Sequence, residues 1–296
     1  CFATNLTMTS SVQGLLIPPS HNMVMYAMVA GGVSVGRLFL GGIIPGVSLG
    51  LTLAVYCYFM AKKHNYPMGS PFNLKNAVRA IVDAFWGLVT LLIVVVGVVT
   101  GIVTATESAA LAVVWSLMVG FFIYKELTLI EAWHVLERAL GTLAIVMILI
   151  STSQVFGWLL TYLQMPQMIA DAILGLTSNK YAIMLILNLI MLFLGMIMDM
   201  SAIILVATPI LLPIAQSAGM DVVHFGVVMI LNLGIGLITP PVGGTLFVGS
   251  AVSGIPIERL CKTLWHQLLV MVGVLLVITY VPEIVMFLPN LIMPLN

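Results

Sequence analysis

The residues best placed to do chemistry lie in Gly236-Leu-Ile-Thr-Pro-Pro-Val-Gly-Gly-Thr245, inside a run with no Asp, Glu, Lys or Arg from Val222 to Ile257. Pro240 and Pro241 remove two helix N–H donors and clash with the preceding turn, so an apolar helix must break there. In hydrocarbon an open backbone is tolerated only where protein buries it or where it lines a polar cavity, because each unpaired N–H or C=O costs several kcal/mol. Carbonyls released at that depth are ligands for a hard cation such as Na⁺, or contacts for a solute. Asn232, one turn before Gly236, and Thr239, inside the break, each add a side-chain oxygen. The competing reading is that single hydroxyl and amide groups in apolar helices hold neighbouring helices together.

A second copy lies near the start, in Gly14-Leu-Leu-Ile-Pro-Pro-Ser-His21. A shift of 222 residues lays Gly14 on Gly236, Leu15 on Leu237, Pro18 on Pro240, Pro19 on Pro241, Gly32 on Gly254, Arg37 on Arg259 and Leu38 on Leu260. Ser10 falls on Asn232, with Ser11, Ser20 and Asn22 close by, while His21 and Asn22 fall on the bare Gly243 and Gly244. That asymmetry suits solute contacts in the first copy and ion ligation in the second; a histidine that merely starts a helix explains His21 equally well. An internal repeat with a proline-interrupted membrane segment in each half is the sequence sign of a secondary transporter's binding site.

Asp199 is the single acid between Tyr181 and Met220. A carboxylate at mid-bilayer costs about 2.5–3.5 kcal/mol on insertion scales, so it needs a partner or a purpose. Either it sits at a hairpin tip beside a cation site, or it belongs to an outer loop between two full spans.

The elements that must position these groups are read from where the charges fall. Residues 1–30 form the first broken helix, and Leu38 to Met60 is an uncharged span, long enough for about 30 Å of hydrocarbon. Gly42, Gly46 and Gly50, at four-residue spacing within it, predict close helix packing. A loop at 62–80 follows, then spans at 84–106 and 108–124, with Thr106 as the expected cap of the latter and Glu107 near its N-terminus. Residues 125–138 read as a surface loop, 139–162 as a span and 166–177 as a short interfacial helix after Pro166. Two apolar arms at 180–217 meet at Met198-Asp-Met200; the second broken helix covers 222–253 and the last span 263–286. His224 and His266 are expected at the interface, and the five tryptophans in belt or packing positions.

Counting crossings puts Lys62, Lys63, Lys75, Arg79, Lys125, Arg138, Arg259 and Lys262 on one side, against Arg37 and Lys180 on the other. The positive-inside rule makes the first face cytoplasmic. The C-terminus is then periplasmic, and the two Pro-Pro segments cross in opposite directions as an inverted repeat.

Composition excludes several classes. With 61% hydrophobic and 7% charged residues and a mean hydropathy of +1.20, the chain is an all-α, multi-pass protein of the lipid bilayer, not a soluble globule. A formal net charge of zero without basic runs argues against nucleic acid. Cys1, Cys57 and Cys261 are too scattered for a disulfide framework or metal site. No zinc-protease, intramembrane aspartyl-protease or phosphate-loop motif is present, so no enzyme is expected. The opening Cys-Phe-Ala-Thr reads as the interior of a membrane segment in a longer chain.

The stretches Gly14-Leu-Leu-Ile-Pro-Pro-Ser, Leu40-Gly-Gly-Ile-Ile-Pro-Gly46, Thr104-Ala-Thr-Glu-Ser-Ala-Ala110, Gly195-Met-Ile-Met-Asp199, His224-Phe-Gly-Val-Val-Met229, Gly236-Leu-Ile-Thr-Pro-Pro-Val-Gly243 and Tyr280-Val-Pro282 resemble the large membrane subunit of tripartite ATP-independent periplasmic (TRAP) transporters. The likeness runs from end to end and covers the C-terminal two-thirds of such a subunit. It implies an elevator-type importer of small organic acids, of the sialic acid or C4-dicarboxylate type, driven by Na⁺ and carrying no cofactor beyond that coupling ion. It implies two partners, a small four-helix membrane subunit and a periplasmic substrate-binding protein. It also implies two re-entrant hairpins, each meeting a broken helix around Na⁺; residues 180–217 match the second, and the first is expected before residue 1. The resemblance thus favours the hairpin-tip reading of Asp199. The ion set it suggests is Asp199, Ser201, Asn232, Gly236, Thr239, Pro240 and Gly243. Ser10, Ser11, Gly14, Pro18, Pro19, Ser20, His21 and Asn22 form the corresponding ion or substrate site of the first repeat. Two rivals remain at this stage: an ion-coupled carrier or antiporter of related fold that needs no binding protein, and a membrane scaffold in which the prolines serve folding alone.

Overall fold

The computed structural model describes residues 1–64, 73–164 and 179–294, with isolated positions between 168 and 177, and the regular elements in those parts are all helices. In chain order the helices are α1 (Phe2–Ser11), α2 (Gln13–Leu16), α3 (His21–Val29), α4 (Val35–His64), α5 (Leu74–Val99), α6 (Ala105–Met118), α7 (Leu129–Tyr162), α8 (Lys180–Ile197), α9 (Met200–Ser217), α10 (Val222–Gly236), α11 (Gly244–Ser253), α12 (Ile257–Tyr280) and α13 (Pro282–Ile292). Among the described residues, six helical segments are long and apolar enough to cross a membrane: Val35–His64, Leu74–Val99, Ala105–Ile123, Lys180–Ile197, Met200–Ser217 and Ile257–Tyr280. The chain is an all-α polytopic membrane protein. It divides into two compact units, Cys1–Met60 with Ile150–Asn296, and Ala61–Leu149.

The first unit is built around α10. Every residue from Val223 to Gly236 is buried, and helices α2, α3, α8, α9, α12 and α13 pack around it. This is what a uniformly apolar helix with no polar face requires. Asp221 starts it, its carboxylate accepting from the N–H groups of Val223 (2.7 Å) and His224 (3.4 Å). Tyr26 of α3 lies against Gly226, where an added Cβ would come within 2.4 Å of the ring, and its hydroxyl donates to the Val222 carbonyl at 2.8 Å. His224 is 1% exposed and its Nε2 lies 2.9 Å from the Ile278 carbonyl of α12. His224 is thus a core histidine held between α10 and α12, whereas His266 is exposed.

Both halves of the internal repeat have the same order: helix, Pro-Pro break, short helix, a left-handed glycine and a long helix. Gly32 and Gly254 occupy the equivalent left-handed position with φ of 87° and 67°, and the Pro18–Pro19 and Pro240–Pro241 bonds are both cis. The glycine row of α4 is a contact face. A Cβ at Gly42 would come within 2.2 Å of the Leu16 carbonyl, one at Gly46 within 2.6 Å of Ile17, and one at Gly50 within 2.4 Å of Gln13. The row lets α4 lie against the first break. At its N-terminal end the buried Arg37 donates to the Met293 carbonyl and to Asn290 Oδ1 (3.0 Å), fastening α4 to the end of α13.

In the second unit α5 packs on α6. Trp115 Nε1 donates to the Trp86 carbonyl (3.2 Å), with the two rings 5.9 Å apart, so this pair serves packing. Several expected boundaries shift. α5 begins at Leu74, inside the expected 62–80 loop, of which 65–72 lie outside the described residues, and it ends at Val99 rather than 106. The cap of α6 is Thr104, not Thr106: its hydroxyl accepts from the Glu107 N–H (3.3 Å) while Glu107 accepts from the Thr104 N–H (2.8 Å). That reciprocal box needs an acid three residues after the cap, a spacing Thr104 has and Thr106 lacks. The same device at Thr128 and Glu131 extends α7 back to Leu129, through the expected 125–138 loop. α6 continues as one wide turn over Val119–Ile123. The expected interfacial helix at 166–177 falls largely outside the described residues. In the first unit, Pro282 divides the expected 263–286 span into α12 and α13, as its missing donor and fixed φ favour the start of a new helix.

Candidate functional site

The hairpin of α8 and α9 turns on Met198 and Asp199, and its first arm lies along α10 up to the second break. Gly195 and Gly236 make that approach possible. A Cβ on Gly236 would fall 2.6 Å from the Gly195 backbone, and one on Gly195 would fall 3.2 Å from the Gly236 Cα. A side chain at Gly236 would force the two helices apart, and one at Gly195 would need its neighbour to give by a few tenths of an ångström. Just beyond, the Met196 carbonyl accepts from the N–H groups of Val242 (3.3 Å) and Gly243 (3.2 Å). The end of α8 thereby satisfies two amides released by the prolines, which answers the cost of an open backbone in an apolar setting.

The break itself is compact. Leu237 to Val242 connect α10 to α11, the Leu237 carbonyl accepts from the Thr245 N–H (3.1 Å), and the buried Thr239 hydroxyl donates to the Ile235 carbonyl at 2.6 Å. Gly243 sits in the left-handed region at φ 54°, which favours glycine. A Cβ there would lie 2.9 Å from the Thr239 carbonyl and 3.2 Å from the Leu237 carbonyl, so both oxygens face this residue. Oxygen-only groups of this kind suit a hard monovalent cation. Pro240 is exposed beside them. Among the described residues no group of three or more His, Cys, Asp or Glu side chains is assembled for a metal ion.

The other expected site residues separate into groups. Asp199 is exposed at the tip and caps α9, accepting from the Ser201 N–H at 2.9 Å; Ser201 is half-buried. Asn232 is fully buried one turn below Gly236, where its Nδ2 donates to the carbonyl and Oδ1 of Asn188 (2.9 and 2.7 Å). Asn188 in turn donates to Thr279 Oγ1 at 3.0 Å, and Asn232 Oδ1 has no protein partner. In the first copy, Ser10 and Ser11 donate to carbonyls of their own helix, Thr7 at 3.1 Å and Met8 at 2.7 Å. Ser20 caps α3 and donates to the Leu15 carbonyl at 2.6 Å, bridging Pro18 and Pro19. Asn22 is buried, while Gly14 and His21 are exposed.

Sequence reasoning missed the carbonyl of Met196, Asn188 and Thr279. Gly195 carried a signal, being a glycine four residues before the only acid of the hairpin; Asn188 carried the signal of a lone amide in an apolar arm.

The family model of the tripartite ATP-independent periplasmic transporter DctM component matches residues 1–284. The chain is 42% identical over 287 residues to an isethionate TRAP transporter permease protein of Oleidesulfovibrio alaskensis, covering 97% of this chain and 45% of that protein. It is 37% identical over 289 residues to a C4-dicarboxylate TRAP transporter large permease protein of Pseudomonas aeruginosa (98% and 67%). It is also 37% identical over 290 residues to a sialic acid TRAP transporter large permease protein of Vibrio cholerae (98% and 68%). The chain thus spans a little under half of the first relative and about two-thirds of the other two. The family is one of permeases, not enzymes, and the chain belongs to the DctM component family of tripartite ATP-independent periplasmic transporters.

Proposed function

We propose that this chain forms the ion-coupled core of a bacterial inner-membrane importer for a small organic acid. The observation that carries the reading is the junction of the hairpin with the second break, where Gly195 and Gly236 touch and Met196 binds the amides of Val242 and Gly243. Na⁺ is held there by carbonyls around Gly236 and Gly243, with Thr239 and Pro240 shaping the loop. Asp199 and Ser201 fix the hairpin tip above it, and Asn232 presents its unpartnered oxygen from below. Cation binding draws hairpin and break together, and this ordering raises the affinity of the adjoining solute site; coupling needs such a difference in affinity between states. The first repeat supplies the matching half, with Ser10, Ser11, Gly14, Pro18, Pro19, Ser20, His21 and Asn22 around its break. The two repeats insert in opposite directions, the hairpin is re-entrant, and this unit moves as an elevator with the C-terminus periplasmic.

The named relatives concern isethionate, C4-dicarboxylate and sialic acid, solutes that share an anionic head group. This supports a carboxylate or sulfonate solute, delivered by a periplasmic binding protein to a complex with a small four-helix subunit. Apart from Na⁺ no cofactor is involved. The deciding experiment is uptake into proteoliposomes by the intact permease and its small partner, with and without an inward Na⁺ gradient and a cognate binding protein. Uptake that needs both supports the proposal. Uptake without a binding protein selects the related-fold carrier, and uptake without Na⁺ removes the sodium role of the break.

A further inference from the structure

We propose that α1 and α12 enclose a buried water site formed by the amides of Asn5 and Gln267. Both residues are fully buried. Asn5 Nδ2 donates to the Leu260 carbonyl (3.0 Å) and to Thr263 Oγ1 (2.7 Å), but its Oδ1 has no partner. Among the described residues Gln267 has no partner at either Oε1 or Nε2. The orientation of the Asn5 amide is fixed, because the Leu260 carbonyl can only accept and the Thr263 hydroxyl directs its own proton to that carbonyl (3.1 Å).

Helix spacing brings the two amides toward one place, since α1 packs on α12. Thr263 and Gln267 are one turn apart on the same face of α12. A helical side chain leans toward the N-terminus of its helix, so the Gln267 amide extends back toward Thr263, where the Asn5 amide is anchored. Thr9, one turn along α1 from Asn5, is also fully buried, but its hydroxyl is engaged with the Leu6 carbonyl at 3.1 Å. Leu264 and Met271, flanking Gln267 on α12, are fully buried apolar walls.

The unpaired atoms define the ligand. Two oxygens need donors and one amide nitrogen needs an acceptor. A cation would serve the oxygens and leave Nε2 bare; an anion would serve Nε2 alone. Water donates and accepts, and a buried water characteristically makes two to four such bonds. The site is separate from the Asn188–Thr279 contact, since Gln267 and Thr279 are twelve residues, about 18 Å, apart on α12. It therefore stands whether or not the sodium reading does. Its effect is to fix the register of α1, the first half of the first broken helix, against α12.

The test is the apparent melting temperature of the intact permease in detergent, native and Gln267→Met, in sodium chloride and in choline chloride. A bridging water predicts a fall of about 2–4 °C in both salts, the size expected when one buried oxygen loses its donor. A rise, or no change, means that Gln267 was dry and overturns the proposal; a fall in sodium alone makes the site a cation site and also overturns it. Should the variant not fold, radiolytic hydroxyl labelling of the native protein decides, because it marks residues beside bound water. Met271 labelled several-fold above the equally buried Met23 and Met191 supports the site, and equal labelling overturns it.

Discussion

At Gly236 a single added methyl has nowhere to go, since its Cβ would lie 2.6 Å from the Gly195 backbone, whereas a Cβ at Gly273 of α12 meets nothing within 4 Å. Gly236→Ala should therefore cut Na⁺-driven uptake by tenfold or more, consistent with the roughly 1–3 kcal/mol cost of overpacking, while Gly273→Ala stays within about twofold. Uptake rates of the two variants at matched expression check this. Asn188 makes a second prediction. Asn188→Leu removes the side-chain acceptor of the buried Asn232 amide, leaving it only the main-chain carbonyl of residue 188, and takes the amide donor from Thr279 Oγ1; it should destabilise the protein by about 1–3 kcal/mol. Replacing both by Leu should recover much of that loss in thermal melts, because an apolar pair needs no partners. The pairing of Asn5 with Thr263, like that of Asn188 with Thr279, joins residues far apart in sequence and was not legible there. Single amides in apolar helices announce that a partner exists, but not which one.

Among the elements, the Pro-Pro breaks were legible because two adjacent imino acids interrupt an apolar run, and no tertiary contact restores the lost donors. The helix starts were legible in principle. Thr104 and Thr128 each precede an acid by three residues, and around Thr128 that local spacing prevailed over a charged, loop-like composition. Thr104→Ala should cost about 0.5–2 kcal/mol, seen as faster amide exchange over 105–108 with the hairpin unchanged. The ends of α5 and α12 were set by Gly101, at φ 72°, and by Pro282, both present in the sequence but inside stretches hydrophobic enough to read as continuous spans. The glycine row of α4 was legible as a contact face, yet only the structure shows that its partner is the first break rather than another long helix.

For the molecule as a whole, the breaks can be separated from folding. Replacing Pro240 and Pro241 by Ala should abolish Na⁺-coupled uptake in protein that still elutes as a monodisperse complex on size-exclusion chromatography. A scaffold role for the prolines predicts unchanged uptake instead. The join between hairpin tip and second break is made by main-chain atoms, with Met196 giving its carbonyl and Val242 and Gly243 their amides. Met196 and Val242 take part through their main chain alone, so alanine at either of them will pass over the fastening, and an ester in place of the Val242 or Gly243 amide is the substitution that reaches it. On the proposed reading it also leaves the cargo free to diverge: a clasp written in the backbone can be inherited unchanged while the side chains around the other break are rewritten for a new solute.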